Sequence, residues 1–441
     1  MTRSHTETAQ AWLSGFQAEF TRKETDLAWL GALRNQARAT FQKQGLPTTR
    51  TESWKYTSLA PLLDTEYHLA QTEEEAAAQP YVPSTEGFRI VLVNGHFAPG
   101  LSRLPQTEEW SLMSLYEASR LTPGRLEDHL LHPNLESGFS SLNEAFWEDG
   151  VFLYLNPAAQ VKEPVWIICV NVAHQASISH PRLAISLGRH SRLALIEYHV
   201  GQGPYLSNIR STIHLDENAH LDYLRLQCEH PLAHHIADIE FTQRAGATLQ
   251  SHSFTLGGAL SRISLSTCLS DAKASCRLFG LMLGQNHQHQ DEHTHIRHAA
   301  AHTHSEEHYR SIQDDASHGI FCGRIKVEAG ALQCTAKQTS HNLLLSPSAE
   351  ATTLPQLEIL NDDITCSHGA TVGQLDETAL FYLISRGLDP DEARALLKQA
   401  FAKTILDSIP NPALKDKISR LIQEKLGQPL RQGGAHVFFH D

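Results

Sequence analysis

A weak internal repeat of about 28 residues constrains the fold of this chain more than any other feature of its sequence. Short apolar runs alternate with polar turns, and one small residue follows each turn. Successive small residues are 28, 28 and 27 positions apart, at Ser191, Ala219, Ala247 and Ala274. A near-constant spacing of short strands is typical of a solenoid, in which each coil stacks its apolar face on the next. The repeat therefore predicts a mainly β protein with a parallel β-helix core.

A β-sandwich of regularly spaced hairpins is the alternative architecture for such a pattern. Hairpins favour dipeptides such as Asn-Gly, and these are missing at the repeated turns. One such pair, Asn94 and Gly95, does follow the apolar run at residues 89–93. We expect a strand and a turn there, and a β-helix in the repeat beyond it.

Helical periodicity is confined to the two ends of the chain. Trp12, Phe16 and Phe20 recur every four residues, and a second apolar stripe at residues 30–41 follows a possible N-cap at Asp26. The pattern returns only at about residue 376. We therefore predict an N-terminal helical domain at 1–80, a β-helix core at 81–375, a C-terminal helical domain at 376–430 and a tail at 431–441.

The start of one C-terminal helix is well marked. Asp389 is a suitable N-cap, Pro390 occupies the first helical position, and Glu392 completes a capping box. Pro410 ends this helix, and a second helix ends at Gly427.

Composition excludes several classes of protein. The 441 residues carry a formal net charge of −13, which argues against general nucleic-acid binding. The sequence lacks an apolar run of the roughly 20 residues that a membrane span requires, and its start lacks the apolar segment of a secretion signal. Seven cysteines without a C-x-x-C pair indicate reduced thiols rather than a disulfide framework. We expect a cytoplasmic protein that does not bind membranes.

Histidine is unusually frequent, and eight of the 28 histidines lie between positions 287 and 308. In this run, His304, Glu307 and His308 match the H-x-x-E-H pattern, which on a helix presents two imidazoles to zinc and a glutamate as general base. The pattern lies where strands are expected, so polar histidines on solvated turns are the alternative interpretation.

A second candidate site contains a thiol and an imidazole. Cys366 and His368 are two residues apart, which on a strand places both side chains on one face. Together they could hold iron or receive sulfur. A Cys–His nucleophile pair and two buried polar residues without a function are the alternatives. The chain lacks the Gly-Lys dipeptide of a P-loop, so we expect any nucleotide to bind a partner.

The chain closely resembles the SufD family of the Suf iron–sulfur cluster assembly scaffold. The resemblance is strongest in residues 310–405 and extends over nearly the whole chain. Motifs that carry it are PQLEI at 355–359, NDDITCSHGATVG at 361–373, FYLISRG at 381–387, ESWKYT at 52–57, VNG at 93–95 and HNLLLS at 341–346. SufB-like paralogues have H-E-A-T where this chain has HGAT at 368–371, and a cysteine near the position of His341.

The resemblance implies a right-handed parallel β-helix flanked by helical domains. It also implies a non-catalytic scaffold subunit that pairs with a SufB-like paralogue through the β-helix. A SufC-like ABC ATPase would dock on the C-terminal helices and alone bind ATP. A nascent iron–sulfur cluster would form transiently at the interface with SufB.

The resemblance also implies roles for individual residues. His368 corresponds to the family histidine at the cluster-assembly interface and is the candidate metal ligand; Cys366 is its companion, and His341 is a neighbouring interface candidate. Phe381, Tyr382 and Arg386 are the aromatic and guanidinium anchors expected at the ATPase docking surface. Without SufB, we expect a homodimer through the same β-helix edge.

Three functional hypotheses therefore stand. The first is the Suf scaffold subunit, the second is a zinc hydrolase that uses His304, Glu307 and His308, and the third is a metal-free β-helix that binds carbohydrate. Metal content distinguishes them: iron with sulfide, stoichiometric zinc, or neither.

Overall fold

Two long β-sheets face each other across a common core and are flanked by ten α-helices in the part of the chain that the computed structural model describes, residues 4–20, 28–85, 87–130 and 137–427. The helices are α1 (His5–Glu19), α2 (Ala28–Gln44), α3 (Ala60–Leu63), α4 (Glu75–Ala78), α5 (Leu115–Leu121), α6 (Pro123–Leu130), α7 (Gly138–Phe146), α8 (Glu377–Ser385), α9 (Pro390–Leu406) and α10 (Pro412–Gly427). Short 3-10 helices lie at Glu52–Trp54, Gln79–Tyr81 and Pro99–Leu101.

The strands follow the helices of the N-terminal region and occupy most of the remaining chain. They are β1 (His68–Leu69), β2 (Arg89–Val93), β3 (His96–Phe97), β4 (Trp110–Ser114), β5 (Gly150–Leu155), β6 (Val165–Val172), β7 (Ser177–Ser179), β8 (Arg182–Leu187), β9 (Arg192–Gln202), β10 (Tyr205–Leu215), β11 (His220–Gln227), β12 (His234–Gln243), β13 (Thr248–Thr255), β14 (Leu260–Leu269), β15 (Ser275–Gly284), β16 (His289–His298), β17 (His304–Gln313), β18 (His318–Val327), β19 (Cys334–Leu344), β20 (Glu350–Ile359) and β21 (Ile364–Gly373).

Successive strands of the solenoid alternate between the two sheets. From β8 onward, even-numbered strands extend the first sheet to β20, and odd-numbered strands extend the second sheet to β21. Each of these pairings is parallel. The chain makes about eight turns. The parallel β-helix prediction is confirmed, and the hairpin sandwich is excluded.

The repeated small residues lie at the turn that leads from the first sheet to the second. All four have no exposed surface. The residue before each of them adopts a left-handed conformation, with φ between 55° and 65°. The backbone N–H of each small residue closes the turn on the carbonyl three positions earlier. A larger side chain would have to fit inside a closed turn, which explains the spacing seen in the sequence.

The prediction that helices are absent between the first strands and residue 376 was wrong. Helices α5, α6 and α7 lie between β4 and β5. Helix α7 has only nine residues, and its polar Ser140, Ser141, Asn143 and Glu144 are buried together with its apolar residues. Helices α5 and α6 have only seven and eight residues, which is too short for a clear stripe.

The predicted elements at the two ends of the chain are otherwise confirmed. Trp12 and Phe16 on α1 are buried, whereas the proposed cap Asp26 lies outside the described residues. Asn94 and Gly95 form the expected turn, with φ of 52° and 85°. Asp389 caps α9 through a capping box. The predicted tail at 431–441 also lies outside the described residues.

The C-terminal helices α9 and α10 pack on the outer face of the second sheet. Their buried residues Ala402, Ile405, Ile418 and Leu421 form one apolar cluster with strand residues that include Phe254. Most of the apolar surface of these helices is therefore covered by the solenoid itself, although Leu396 on α9 stays 44% exposed.

All seven cysteines are free thiols, as predicted. Within the described ranges, no helix has the length and apolar character to cross a membrane.

Candidate functional site

The solenoid ends in an uncovered coil. Strands β20 and β21 pair only with β18 and β19, so each leaves one edge without a neighbouring strand in the described part of the chain. None of the ten residues of β21 is buried. Ile359, Leu360 and Val372 leave 41%, 49% and 49% of their surfaces exposed there. We call β20 and β21, with the turn between them, the terminal coil.

Cys366 and His368 lie on the inner face of the terminal coil. The β21 side chains alternate between faces, and Cys366 packs against the solenoid core. Burial raises the pKa of the Cys366 thiol, which favours the protonated thiol. His368 is exposed and lies about 6.6 Å farther along the same backbone face. The predicted shared face is therefore present.

A column of polar side chains continues from His368 into the solenoid. His368 pairs with Gln338 on β19, and Gln338 pairs with Glu307 on β17. Both of these residues are fully buried, and Gln338 Nε2 donates a hydrogen bond to Glu307 Oε2 at 2.5 Å. Burial raises the pKa of Glu307 to about 7.

His341 does not join this column. It lies on β19 three residues beyond Gln338, and the alternating burial of β19 places it on the outer face. Its Nδ1 atom is 2.8 Å from Thr371 Oγ1. Partial burial and the nearby Arg310 guanidinium lower the pKa of His341. The structure thus brings Cys366 and His368 together and separates His341 from them.

Helix α8 follows the terminal coil and exposes aromatic residues. None of its residues is buried. Phe381 and Tyr382 expose 72% and 55% of their surfaces, and the Arg386 guanidinium lies 5.0 Å from the Tyr382 ring centroid. The three predicted docking residues therefore share one short exposed segment.

Two known domains account for most of the sequence. Residues 8–167 match the SufBD protein N-terminal region, and residues 169–401 match the SufBD core domain of SUF system FeS cluster assembly.

The chain belongs to the SufBD family.

Relatives of this SufBD family chain include the iron–sulfur cluster assembly protein SufD of Escherichia coli. It is 28% identical over 423 residues, which cover 95% of this chain and 96% of that protein. A SufBD family protein of Synechocystis is 29% identical over 86% of this chain and 87% of its own length. Bacillus subtilis SufD is 24% identical over 92% and 96%. A role in iron–sulfur cluster assembly follows from this membership.

The H-x-x-E-H segment of this SufBD family chain is a strand, so the helix required by the zinc-hydrolase hypothesis is absent. On β17, His304 and His308 point outward, whereas Glu307 points into the core. His308 stacks on Phe279 with ring centroids 5.5 Å apart, and its Nδ1 atom is 2.8 Å from Thr339 Oγ1. The expectation of histidines on turns was also wrong for most of the run, because six of the eight lie on β16 and β17.

In the described ranges, no group of three or more His, Cys, Asp or Glu side chains is arranged to hold a metal ion. Cys366 and His368 are two such donors on one face. A metal centre at the terminal coil would therefore need ligands from outside this coil.

Sequence reasoning missed the role of the ESWKYT motif at residues 52–57. Arg262 lies over the Trp54 ring at 4.1 Å and donates a hydrogen bond to the Ser53 carbonyl at 2.7 Å. Arg262 also forms a buried ion pair with Asp291, to which Thr57 donates a hydrogen bond. The motif in this SufBD family chain therefore attaches the N-terminal region to the solenoid.

Proposed function

We propose that this chain is the SufD-type, non-catalytic subunit of a cytoplasmic Suf scaffold, in which its terminal coil pairs with a SufB-like paralogue. A nascent iron–sulfur cluster, the cargo of the complex, is assembled at that interface with the help of His368. Cys366 contributes a second donor from the same face, and His341 contacts the partner from the outer face. The seven free thiols fit a reducing compartment.

One observation carries this proposal: the strand that bears Cys366 and His368 is also the uncovered end of the solenoid. Exposed strand edges invite pairing with another chain and are normally shielded. The exposed Ile359, Leu360 and Val372 increase the apolar surface that a partner would cover. A similar β-helix can supply both a matching strand edge and the missing ligands.

Helix α8 supports a separate contact with the SufC-like ABC ATPase. Exposed aromatic and arginine side chains are enriched at the energetic centres of interfaces, and Phe381, Tyr382 and Arg386 present both kinds. The buried residues of α9 and α10 pack against the solenoid, and the most exposed aromatic residues of this region, Phe381 and Tyr382, lie on α8.

The test of the cluster site uses the complex coexpressed with both partners. His368→Ala should leave association of the three subunits intact and greatly reduce iron and sulfide per complex. Ser367→Ala, on the same strand but facing the other side, is the matched control and should retain the wild-type content. Normal cluster content in the His368→Ala complex would remove this residue from assembly.

The docking test changes the α8 surface without uncovering the core. Phe381→Ala with Tyr382→Ala should abolish ATPase copurification while the β-helix pair persists. Leu121→Ala removes another exposed apolar side chain, 65% exposed on α5, and should have no effect. Retention of the ATPase by the double variant would refute docking at α8.

The terminal coil also predicts the state of the chain without its paralogue. We expect a homodimer through the same edge, measurable by sedimentation at tens of micromolar. Val372→Lys should shift it toward monomer, because a lysine on an edge opposes strand pairing. A wild-type chain that stays monomeric would contradict this part of the proposal.

A further inference from the structure

Gln338 ends in a buried polar atom without a partner, next to His368. The two residues pair in register, so their side chains leave β19 and β21 on the same inner face, from backbones about 4.8 Å apart. Gln338 Oε1 is buried and accepts no hydrogen bond from the described residues. Buried polar atoms in folded proteins are nearly always paired, and strand register makes His368 the neighbour of Gln338 on its uncovered side.

The Gln338 amide is held in one orientation from two sides. Its Nε2 atom donates to Glu307 Oε2 at 2.5 Å, which leaves Oε1 as the free end. On the opposite sheet, Gly323 provides the space for the amide, because a Cβ atom there would come within 1.9 Å of Gln338 Nε2. The glycine and the glutamate together build a site for this side chain.

We propose that Gln338 is a positioning residue for His368. Its Oε1 atom accepts the N–H of one ring nitrogen when the paralogue covers the terminal coil, and the other, unprotonated nitrogen then faces the iron. Glu307 acts one step farther away by preventing the Gln338 amide from rotating. This inference rests on the proposed role of His368 in cluster assembly.

The chemistry of histidine ligands supports this arrangement. A histidine that binds a metal through one nitrogen usually donates its other N–H to a carboxylate, a carbonyl or water, and this contact fixes the tautomer and the ring orientation. A glutamine carbonyl provides such an acceptor without adding charge. Gln338 is the residue that the strand register places beside His368 on the inner face.

Four substitutions at three positions, made in the full complex with both partners, separate positioning from packing. Gln338→Met keeps the length of the side chain but removes the acceptor. Gly323→Ala displaces the amide and leaves Gln338, Glu307 and His368 unchanged. Glu307→Leu removes the anchor, and Glu307→Gln should rescue it because its carbonyl can still accept from Gln338 Nε2.

Gly319→Ala is the matched control for the glycine substitution. Its Cβ atom would come within 2.6 Å of Gln313 Nε2 and Ser311 Oγ, which are interior polar groups outside the Gln338 column. It therefore disturbs the core of the same strand without displacing the Gln338 amide.

Ferrous iron affinity under anaerobic conditions is the first readout. Loss of a residue that orients a metal ligand typically weakens metal affinity about 10- to 100-fold. We expect losses of this size for Gln338→Met and Gly323→Ala and wild-type affinity for Gly319→Ala. A purely packing role predicts that subunit association and iron affinity fall together in Gln338→Met, Gly323→Ala and Gly319→Ala. That outcome would overturn the proposal.

The second readout is the tautomer of His368, measured by nitrogen-15 solid-state NMR on the complex. Only this subunit carries labelled histidine, and the His368→Gln variant identifies the His368 signal. The wild-type complex should show one tautomer, and Gln338→Met a mixture. The same single tautomer in both would overturn the proposal. Normal cluster content in the His368→Ala complex would instead refute the proposed function. The tautomer of His368 is measured without cluster assembly, so failure of this inference and failure of the proposed function are distinguishable.

Discussion

The buried ion pair between Arg262 and Asp291 should be a major source of attachment between the N-terminal region and the solenoid. Asp291 is 1% exposed and Arg262 is 3% exposed. Burial alone would raise the pKa of Asp291, but the charges of Arg262 and His293 hold it well below its usual range. The carboxylate is therefore ionised in the folded protein, and its removal leaves a buried guanidinium without its counter-charge.

Asp291→Ala should lower the free energy of unfolding by about 3–5 kcal/mol, the usual cost of leaving one member of a buried ion pair unpaired. Replacing both charges with apolar residues, in Arg262→Met with Asp291→Leu, should recover most of that loss. The double variant should remain about 1–2 kcal/mol below wild type, since it still lacks the arginine contact with the Trp54 ring.

Urea unfolding followed by tryptophan fluorescence measures these differences, and limited proteolysis shows whether residues 45–110 detach first. Asp271→Ala is the matched control because it breaks a solvent-exposed pair in which Arg244 Nη1 and Asp271 Oδ2 are 3.4 Å apart. Exposed pairs contribute less than about 1 kcal/mol. If Asp291→Ala costs no more than Asp271→Ala, the ESWKYT segment is not attached through this ion pair.

Three further predictions concern the buried histidines, a closed turn and the outward-facing histidines of β17. Burial lowers the pKa of His180 to about 3 and of His199 and His298 to about 4, so below pH 6.5 the unfolded chain binds protons that the folded chain cannot. The free energy of unfolding measured between pH 6.5 and 4 should therefore fall by about 1.4 kcal/mol per pH unit for each such histidine. Burial raises the pKa of Glu229, Glu292 and Glu307, which offsets part of this loss; a flat profile would contradict the prediction. Ala247→Leu should cost about 1–3 kcal/mol by overpacking the closed turn, whereas Ala272→Leu on the exposed side of the next turn should be neutral by the same urea assay. His304→Ala and His308→Ala should leave the zinc content of the isolated chain unchanged in equilibrium dialysis; a stoichiometric loss would revive the zinc site.

The solenoid could be predicted because its signal is local and repeated. A buried position such as Ala219 recurs in each coil, so its spacing survives even where the strands differ. Helix α7 gave no such signal because its nine residues make too few turns for a repeated apolar stripe. Cys366 and His368 could be found because two nearby residues on one strand share a face whatever lies around them.

The rest of the site depends on register, which a single sequence does not reveal. Glu307, Gln338 and His368 are about 30 residues apart along the chain and become neighbours only through the pairing of β17, β19 and β21. Thr57 and Asp291 are separated by 234 positions. Their contact joins the N-terminal region to β16, and it exists only in the folded chain. The Thr57–Asp291 contact follows no period, so the pattern of residues could not predict it.

The stacking of coils also determines the order in which the molecule can form. Each coil needs the preceding coil as a template, and the N-terminal end is already closed by the antiparallel pairs β2–β3 and β4–β5. Folding of such an array propagates from neighbour to neighbour, so the terminal coil, with support from one side only, should form last and open first. Its amide hydrogens should exchange faster than those of the central coils. If a partner pairs with that end as proposed, its binding would complete the propagation, and the proposed cluster site would form at the step that protects the least stable coil.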